Sequence, residues 1–242
     1  LFQIVLVSVI LLSHIEVASA QSTGGGQAQL VEGRAIIVRQ GKEMEIDSYP
    51  MDFKDQDLIQ TFDKGKVHLT LKGGDLIFLA PKTEIQFEEK LKTKGLVKII
   101  NRKLKLKGRL LAKIQPNPET QIQIRTPNAV VGVRGTEFVV EFLSKATNVG
   151  TLKGTVNLSS LTTGDSIDLK AGTMSSVHAS GEVLPITEFS GELMQDFEFA
   201  GESMSEKDSA GKSDSLPSVQ SQSKEECYLF VSGDIGEEKS VV

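Results

Sequence analysis

From Gln29 to Leu184 the apolar residues recur at every second position in runs of about four to eight, separated by glycine, proline, Asp or Asn. Val67-His-Leu-Thr-Leu, Thr83-Glu-Ile-Gln-Phe, Leu104-Lys-Leu-Lys and Gln121-Ile-Gln-Ile are examples. A period of two puts the apolar side chains of each run on one face, so each predicts a half-buried strand. No helical stripe of comparable length competes with them in this stretch. Turns at Gly73-Gly74, at Gly164-Asp165 and at Gly108 predict consecutive strands that pair or stack. The expectation is an all-β domain over residues 29–184. The pattern alone leaves sandwich, barrel and solenoid open, because all three are built from such units.

The most informative stretch runs from Arg125 to Phe142 and reads Arg-Thr-Pro-Asn-Ala-Val-Val-Gly-Val-Arg-Gly-Thr-Glu-Phe-Val-Val-Glu-Phe. Proline at 127 drives Thr126 into an extended conformation, and Gly132 and Gly135 admit backbone shapes that strain other residues. Beyond them Phe138, Val140 and Phe142 fall on one face, and Glu137, Val139 and Glu141 on the other. Arg134 is expected to pair with a carboxylate, with Glu137 the nearest in sequence.

The phrase resembles the signature of the FecR domain family, carried here by Thr126, Pro127, Gly132, Arg134, Gly135, Thr136 and Phe138. The likeness extends from about Gln29 to Leu184. Gly33-Arg-Ala-Ile-Ile-Val resembles the family's opening strand, and Lys66 to Leu79 its strand, turn, strand unit. Val149 to Leu158 and Ile167 to Val177 resemble its closing strands. The resemblance implies a twisted, solenoid-like or sandwich-like stack of short strands outside the cytoplasmic membrane of a bacterium. The best-known members relay signals from outer-membrane receptors to sigma factors. They carry a helical, tryptophan-containing cytoplasmic segment and a membrane span ahead of the domain, whereas this sequence has no Trp.

The ends differ in composition from the middle. Leu1 to Leu12 is apolar and Ala18-Ser-Ala follows, which predicts a signal peptide over residues 1–20 and a mature start at Gln21. The rival reading is the trailing half of a transmembrane helix; Glu16 and the Ala-x-Ala pattern favour the signal peptide. Beyond residue 20 no apolar run is long enough to span a bilayer. Residues 21–28, with Gly24-Gly-Gly, read as a flexible linker. Residues 185–242 read as an acidic, low-complexity, disordered tail with thirteen acidic and four basic residues from Thr187 on. At its start Phe189, Leu193, Met194, Phe197 and Phe199 are spaced to cover one side of the domain.

Candidate chemistry is sparse, and no catalytic, cofactor-binding or metal-binding residue is expected. His14 lies in the leader, His68 within a strand and His178 beside a turn, with no nucleophile spaced to meet them. No His or Cys pair has ligand spacing, and the lone Cys227 reads as a solvent-facing thiol. Gly132-Val-Arg-Gly is not a nucleic-acid clamp, because its flanks are strands and the chain is read as exported.

Charge is concentrated instead. Ten basic residues fall between Lys90 and Lys113, and Lys103, Lys105, Lys107 and Arg109 alternate as if along one strand face. A lysine-lined face protects a sheet against aggregation, or meets an anionic envelope polymer, a lipid head group or an acidic envelope protein. The expectation is a non-enzymatic, periplasmic or envelope-located FecR-like module that binds or senses an envelope partner. The alternative is the periplasmic part of a transmembrane sigma-factor regulator.

Overall fold

The alternating runs all become strands, and the path of the chain through them explains how so many short runs share one core. In the computed structural model, which describes residues 25–94, 97–198 and 200, seventeen strands form one continuous hydrogen-bonded network. The expected signal peptide, part of the linker, Phe199 and the sequence beyond residue 200, Cys227 included, lie outside the described residues.

The network is folded into two layers. The first contains, in spatial order, β4 (Met51–Phe53), β1 (Gly26–Glu32), β6 (Lys66–Leu71), β7 (Leu76–Leu79), the end of β9 (Val97–Lys113), β12 (Glu137–Leu143), β13 (Ala146–Lys153), β16 (Thr173–Val177) and β17 (Thr187–Glu188). The second contains β3 (Lys42–Glu45), β2 (Ala35–Arg39), β5 (Leu58–Thr61), β8 (Glu84–Lys94), the start of β9, β10 (Thr120–Arg125), β11 (Ala129–Val133), β14 (Thr155–Ser160) and β15 (Ser166–Lys170). Neighbours are antiparallel throughout except β9 and β10. From β6 onward the hairpins β6–β7, β12–β13 and β16–β17 lie in the first layer and β8–β9, β10–β11 and β14–β15 in the second, with the end of β9 running on into the first. Sequence order therefore follows position along both sheets, combining a solenoid's progression with a sandwich's core.

Strand β9 belongs to both layers. Leu104 and Leu106 point into the core from the second layer, and Leu110 and Ala112 from the first, with Gly108 between them. Gly108 has φ 103°, and a Cβ there would lie 2.6 Å from Thr83 Oγ1 and 2.8 Å from the Lys82 carbonyl oxygen. Glycine is thus required on two counts, conformation and space. The expected turn at this residue is instead a bend inside a strand. Two threonines serve the backbone around it: Thr83 Oγ1 accepts from the Arg109 amide at 3.0 Å, and Thr61 Oγ1 donates to the Ala80 carbonyl at 2.7 Å. Gly73 and Gly74, both at positive φ, do form the turn between β6 and β7, as Gly164 does between β14 and β15.

The core between the layers is a single cluster that includes Ile37, Ile59, Val67, Leu69, Phe87, Ile124, Val131, Phe138, Val140, Val156 and Leu158. A fully buried side chain of this size contributes roughly 1.5–3 kcal/mol relative to exposure. Charge enters the interior where it ties the layers together. Arg102 projects inward from β9, donates to Asp75 at 3.1 Å and to Glu89 at 2.9 Å, and is buried with both. It therefore does not join the outward lysines. Asp75 also accepts from the Gln115 amide. Burial nevertheless holds the Asp75 carboxyl above its usual range, against the opposing effects of that amide and Arg102.

The chain folds at both ends beyond the boundaries expected from composition. β1 begins at Gly26 and buries Ala28. After β17, a single 3-10 turn over Gly191–Met194 is capped by Ser190, whose hydroxyl accepts from the Glu192 amide. It brings Leu193 and Phe197 into burial. This packing was expected of the aromatic and aliphatic residues there.

Candidate interaction face

The two layers present outer faces of opposite character. Across the first layer one registered row reads His68, Phe78, Leu111, Val139, Gly150 and Met174. Phe78, Leu111 and Val139 are fully buried although they point away from the core between the layers. The segment after β17 covers them. The Phe189 ring fills the space above Gly150, where a Cβ would lie 2.2 Å from Phe189 Cε2 and 3.3 Å from Leu193 Cδ1. A polar row beside it runs from Arg109 to Glu141, Asn148 and Ser176. Asp196 closes this row from the covering segment, accepting from Arg109 Nη1 at 2.8 Å. β12 is therefore buried on both faces, not half-buried as its alternation suggested.

Arg109 consequently parts from the lysines. It keeps their outward parity, but β9 has crossed layers at Gly108, so outward now means the opposite side of the sandwich. Lys103, Lys105 and Lys107 share the outer face of the second layer, where β8 sets acids against them. Lys105 Nζ is 2.5 Å from Glu88, Lys107 Nζ is 3.2 Å from Glu84, and Lys103 Nζ is 3.9 Å from Glu88. Lys105 holds the Glu88 carboxyl below its usual range, chiefly by donating a hydrogen bond to it. These cross-strand pairs are partly exposed, and such pairs contribute about 0.2–1 kcal/mol each.

On its other side β9 meets β10 in parallel, which places Lys103 beside Gln123 and Lys105 beside Arg125. Arg125 is exposed and makes no ion pair or side-chain hydrogen bond among the described residues. The rows continue as Arg125, Val130, Ser159 and as Gln123, Gly132, Asn157, Asp168. From β8 to β14 this face carries no aromatic side chain. A shallow cavity of about 450 Å³ opens on it, lined by Lys105, Lys107, Arg125, Glu84, Gln86 and Pro127 among others.

The signature residues divide by role. Thr126 is buried, and its hydroxyl shares a hydrogen bond of 2.7 Å with Thr147. Asn128, not singled out from the sequence, donates from Nδ2 to the carbonyls of Val177 and His178 at 2.9 and 3.0 Å and accepts from Thr147. The Thr-Pro-Asn corner thereby fastens the end of the second layer to β13 and β16. Gly135 has φ 63° and lies against Pro116, so its glycine is structural. Gly132 is different. It lies within β11 at an ordinary φ, and a Cβ there would come no nearer than 3.9 Å to Asn157. Thr136 is buried with its carbonyl accepting from the Ile114 amide, and Phe138 is in the core. Arg134 is exposed in the bend just past the end of β11 and forms no ion pair with Glu137, contrary to expectation.

Sequence reasoning missed Arg125 and Gln123 as members of the face. The signal was the alternation Gln121, Gln123, Arg125; the parallel register that sets them beside the lysines has no local signature. Among the described residues no group of three His, Cys, Asp or Glu side chains is placed to hold a metal ion. No helix there is long and apolar enough to cross a membrane.

The molecule is thus an all-β, two-layer sandwich with one closed and one open outer face. Residues 57–157 match the family described as FecR protein, and the match takes in the Arg125–Phe142 phrase that resembles its signature. The match runs from the start of β5 into β14 and includes the strands of the open face from β8 to β11. Two crystal structures of a candidate anti-sigma factor from Parabacteroides distasonis, at 1.65 and 2.50 Å resolution, resemble the chain. Their TM-scores are 0.46 and 0.45 at 18% and 19% identity. Each alignment covers 54% of this chain and 59% of the other, so the chain spans about three fifths of the length of those it matches. No curated protein matches the sequence.

Proposed function

We propose that the chain is a non-enzymatic, extracytoplasmic binding and sensing module of the FecR type, whose sandwich is a frame for the open face of its second layer. The observation that carries this is the coincidence of the FecR match with the strands of that face. A core closed on both sides of β12 holds the frame together, and the covering segment removes the other outer face from contact. The polar, charged outer strands are then the accessible part of the matched region. The Ala18-Ser-Ala pattern supports export.

The test is a pair of fusions of the complete gene product to reporters active only outside or only inside the cytoplasmic membrane. Activity of the first alone is expected. Activity of the second alone would overturn the extracytoplasmic reading. The FecR match also supports a second reading, in which the same domain is the periplasmic part of a transmembrane sigma-factor regulator. Deletion of the gene then changes transcription of one sigma-dependent set of promoters, and restoring the sandwich without the rest of the protein does not reverse the change.

A further inference from the structure

Two glycines occupy corresponding places on the outer faces. Gly150 in the first layer is filled by the Phe189 ring, whereas the space over Gly132 in the second has nothing nearer than Asn157. Around Gly132 lie Gln123 and Asn157 in register, with Lys103 next along the row and Arg125 and Lys105 in the row beside it. Lys105 and Arg125 are directly opposite on neighbouring strands, about 4.8 Å apart along the hydrogen-bonding direction. Like charges so placed repel. Glu88 reaches Lys105 from the far side, yet Arg125 has no partner among the described residues. An anion between the two cations relieves that repulsion.

The surroundings choose among anions. An acidic protein partner is met through a desolvated apolar centre with aromatic anchors, and this face has none from β8 to β14. A lipid surface is gripped by basic residues with bulky apolar side chains that enter it, whereas the apolar side chain between Lys105 and Asn157 on this face is the short, half-buried Val130. Primary amides interspersed with cations, on a flat face with a side-chain-free notch, suit a chain of hydroxyl-bearing rings that carry carboxylates. We propose that this face binds an extended acidic glycan running across the strands. One carboxylate lies between Lys105 and Arg125, hydroxyls meet Gln123 and Asn157, and one ring rests over Gly132. The proposal rests on the binding-module reading and names its ligand class.

Polygalacturonate is the probe, and affinity is measured for the complete mature protein at low and at physiological ionic strength. Saturable binding that weakens with salt is expected, since the Debye length shortens to about 8 Å at physiological ionic strength. The double variant Lys105→Gln, Arg125→Gln should bind about tenfold more weakly or worse, as for the loss of charge-assisted hydrogen bonds. Gly132→Glu, which has room for its side chain, should weaken binding comparably while leaving the melting temperature unchanged. Lys153→Gln, exposed on the first layer, should bind as the parent does.

Absence of polygalacturonate binding overturns the proposal. So does equal weakening by Lys153→Gln, which would make the attraction one of net charge. Equal or tighter binding to polyglutamate would reassign the face to an acidic protein, and binding to vesicles containing phosphatidylglycerol but not to the glycan would reassign it to lipid. The reporter fusions are independent of all these outcomes, so an exported protein that ignores the glycan loses this inference and keeps the proposed function.

Discussion

Gly150 and Gly132 each lie near the middle of an outward-facing row, and the rows come from strands with the same alternation. One is roofed by Phe189 and Leu193, the other faces solvent between lysines and amides. The difference lies in the residues that share each row. Phe78, Leu111 and Val139 give the first layer an apolar outer face that must be covered, and the segment after β17 follows directly to cover it. Lys103, Lys105, Lys107 and Gln123 give the second an outer face that water already satisfies. A sandwich with one apolar and one polar outer face is in effect a three-layered object on one side and a two-layered one on the other.

The largest effect expected from breaking this asymmetry comes from placing the same charge on each face. Val139→Lys puts an ammonium beneath the covering segment and should cost about 3 kcal/mol or more, through an unpaired buried charge or the loss of the cover. Gln123→Lys, its counterpart on the open face, should change stability by no more than about 0.5 kcal/mol. Denaturant midpoints of the two variants decide it, and equal costs would deny that the faces differ.

The bend that assigns one half of β9 to each face is the next target. Gly108→Val combines a positive φ with contacts under 3 Å to Thr83 and Lys82, and should cost about 2–3 kcal/mol. A thermal melt unchanged by the substitution would show that β9 crosses without needing glycine.

The two matched glycines sharpen the comparison further. Gly150→Ala collides with Phe189 and should cost about 1–3 kcal/mol, as overpacking does. Gly132→Ala meets no atom closer than 3.9 Å at an ordinary φ and should be neutral or stabilise by about 0.4–1 kcal/mol. Calorimetric melting of the pair reports both signs in one experiment.

The smallest effect is electrostatic and confined to the open face. The folded state holds Glu88 below its ordinary carboxylate range, so its contribution is complete above the unfolded pKa and is lost as pH falls through the folded pKa. Glu88→Gln should therefore cost about 0.2–1 kcal/mol near neutrality and nothing in acid. Asp75, raised by burial, runs the other way: its contribution is present below the unfolded pKa and fades as pH rises through the folded one. Stability measured from pH 7 downward in the parent and in Glu88→Gln isolates the first slope.

Much of this was legible before any coordinates. The alternation in Val67–Leu71, Thr83–Phe87 and Gln121–Ile124 placed strands and their inward residues correctly, because one face of each is buried and a period of two admits only one such face. The paired glycines at 73 and 74 announced their turn because positive φ has few other hosts. Gly108 misled for the same reason, since a bend within a strand and a turn between strands make the same demand on φ. Arg109 misled because parity tells which side of its own sheet a residue faces and says nothing of which sheet the strand has entered.

The sequence by itself determined that the protein is all-β, where its strands alternate, that it carries the FecR phrase and that its cations cluster in one stretch. Those properties reside in single residues and their nearest neighbours along the chain. The tertiary structure alone decided that β9 serves two layers, that Arg102 turns inward to Asp75 and Glu89, that Arg109 is closed over by Asp196, and that Arg125 joins Lys105. Each of those is a pairing between residues distant in the chain or an assignment of layer, fixed by which strands share hydrogen bonds once the common core is buried.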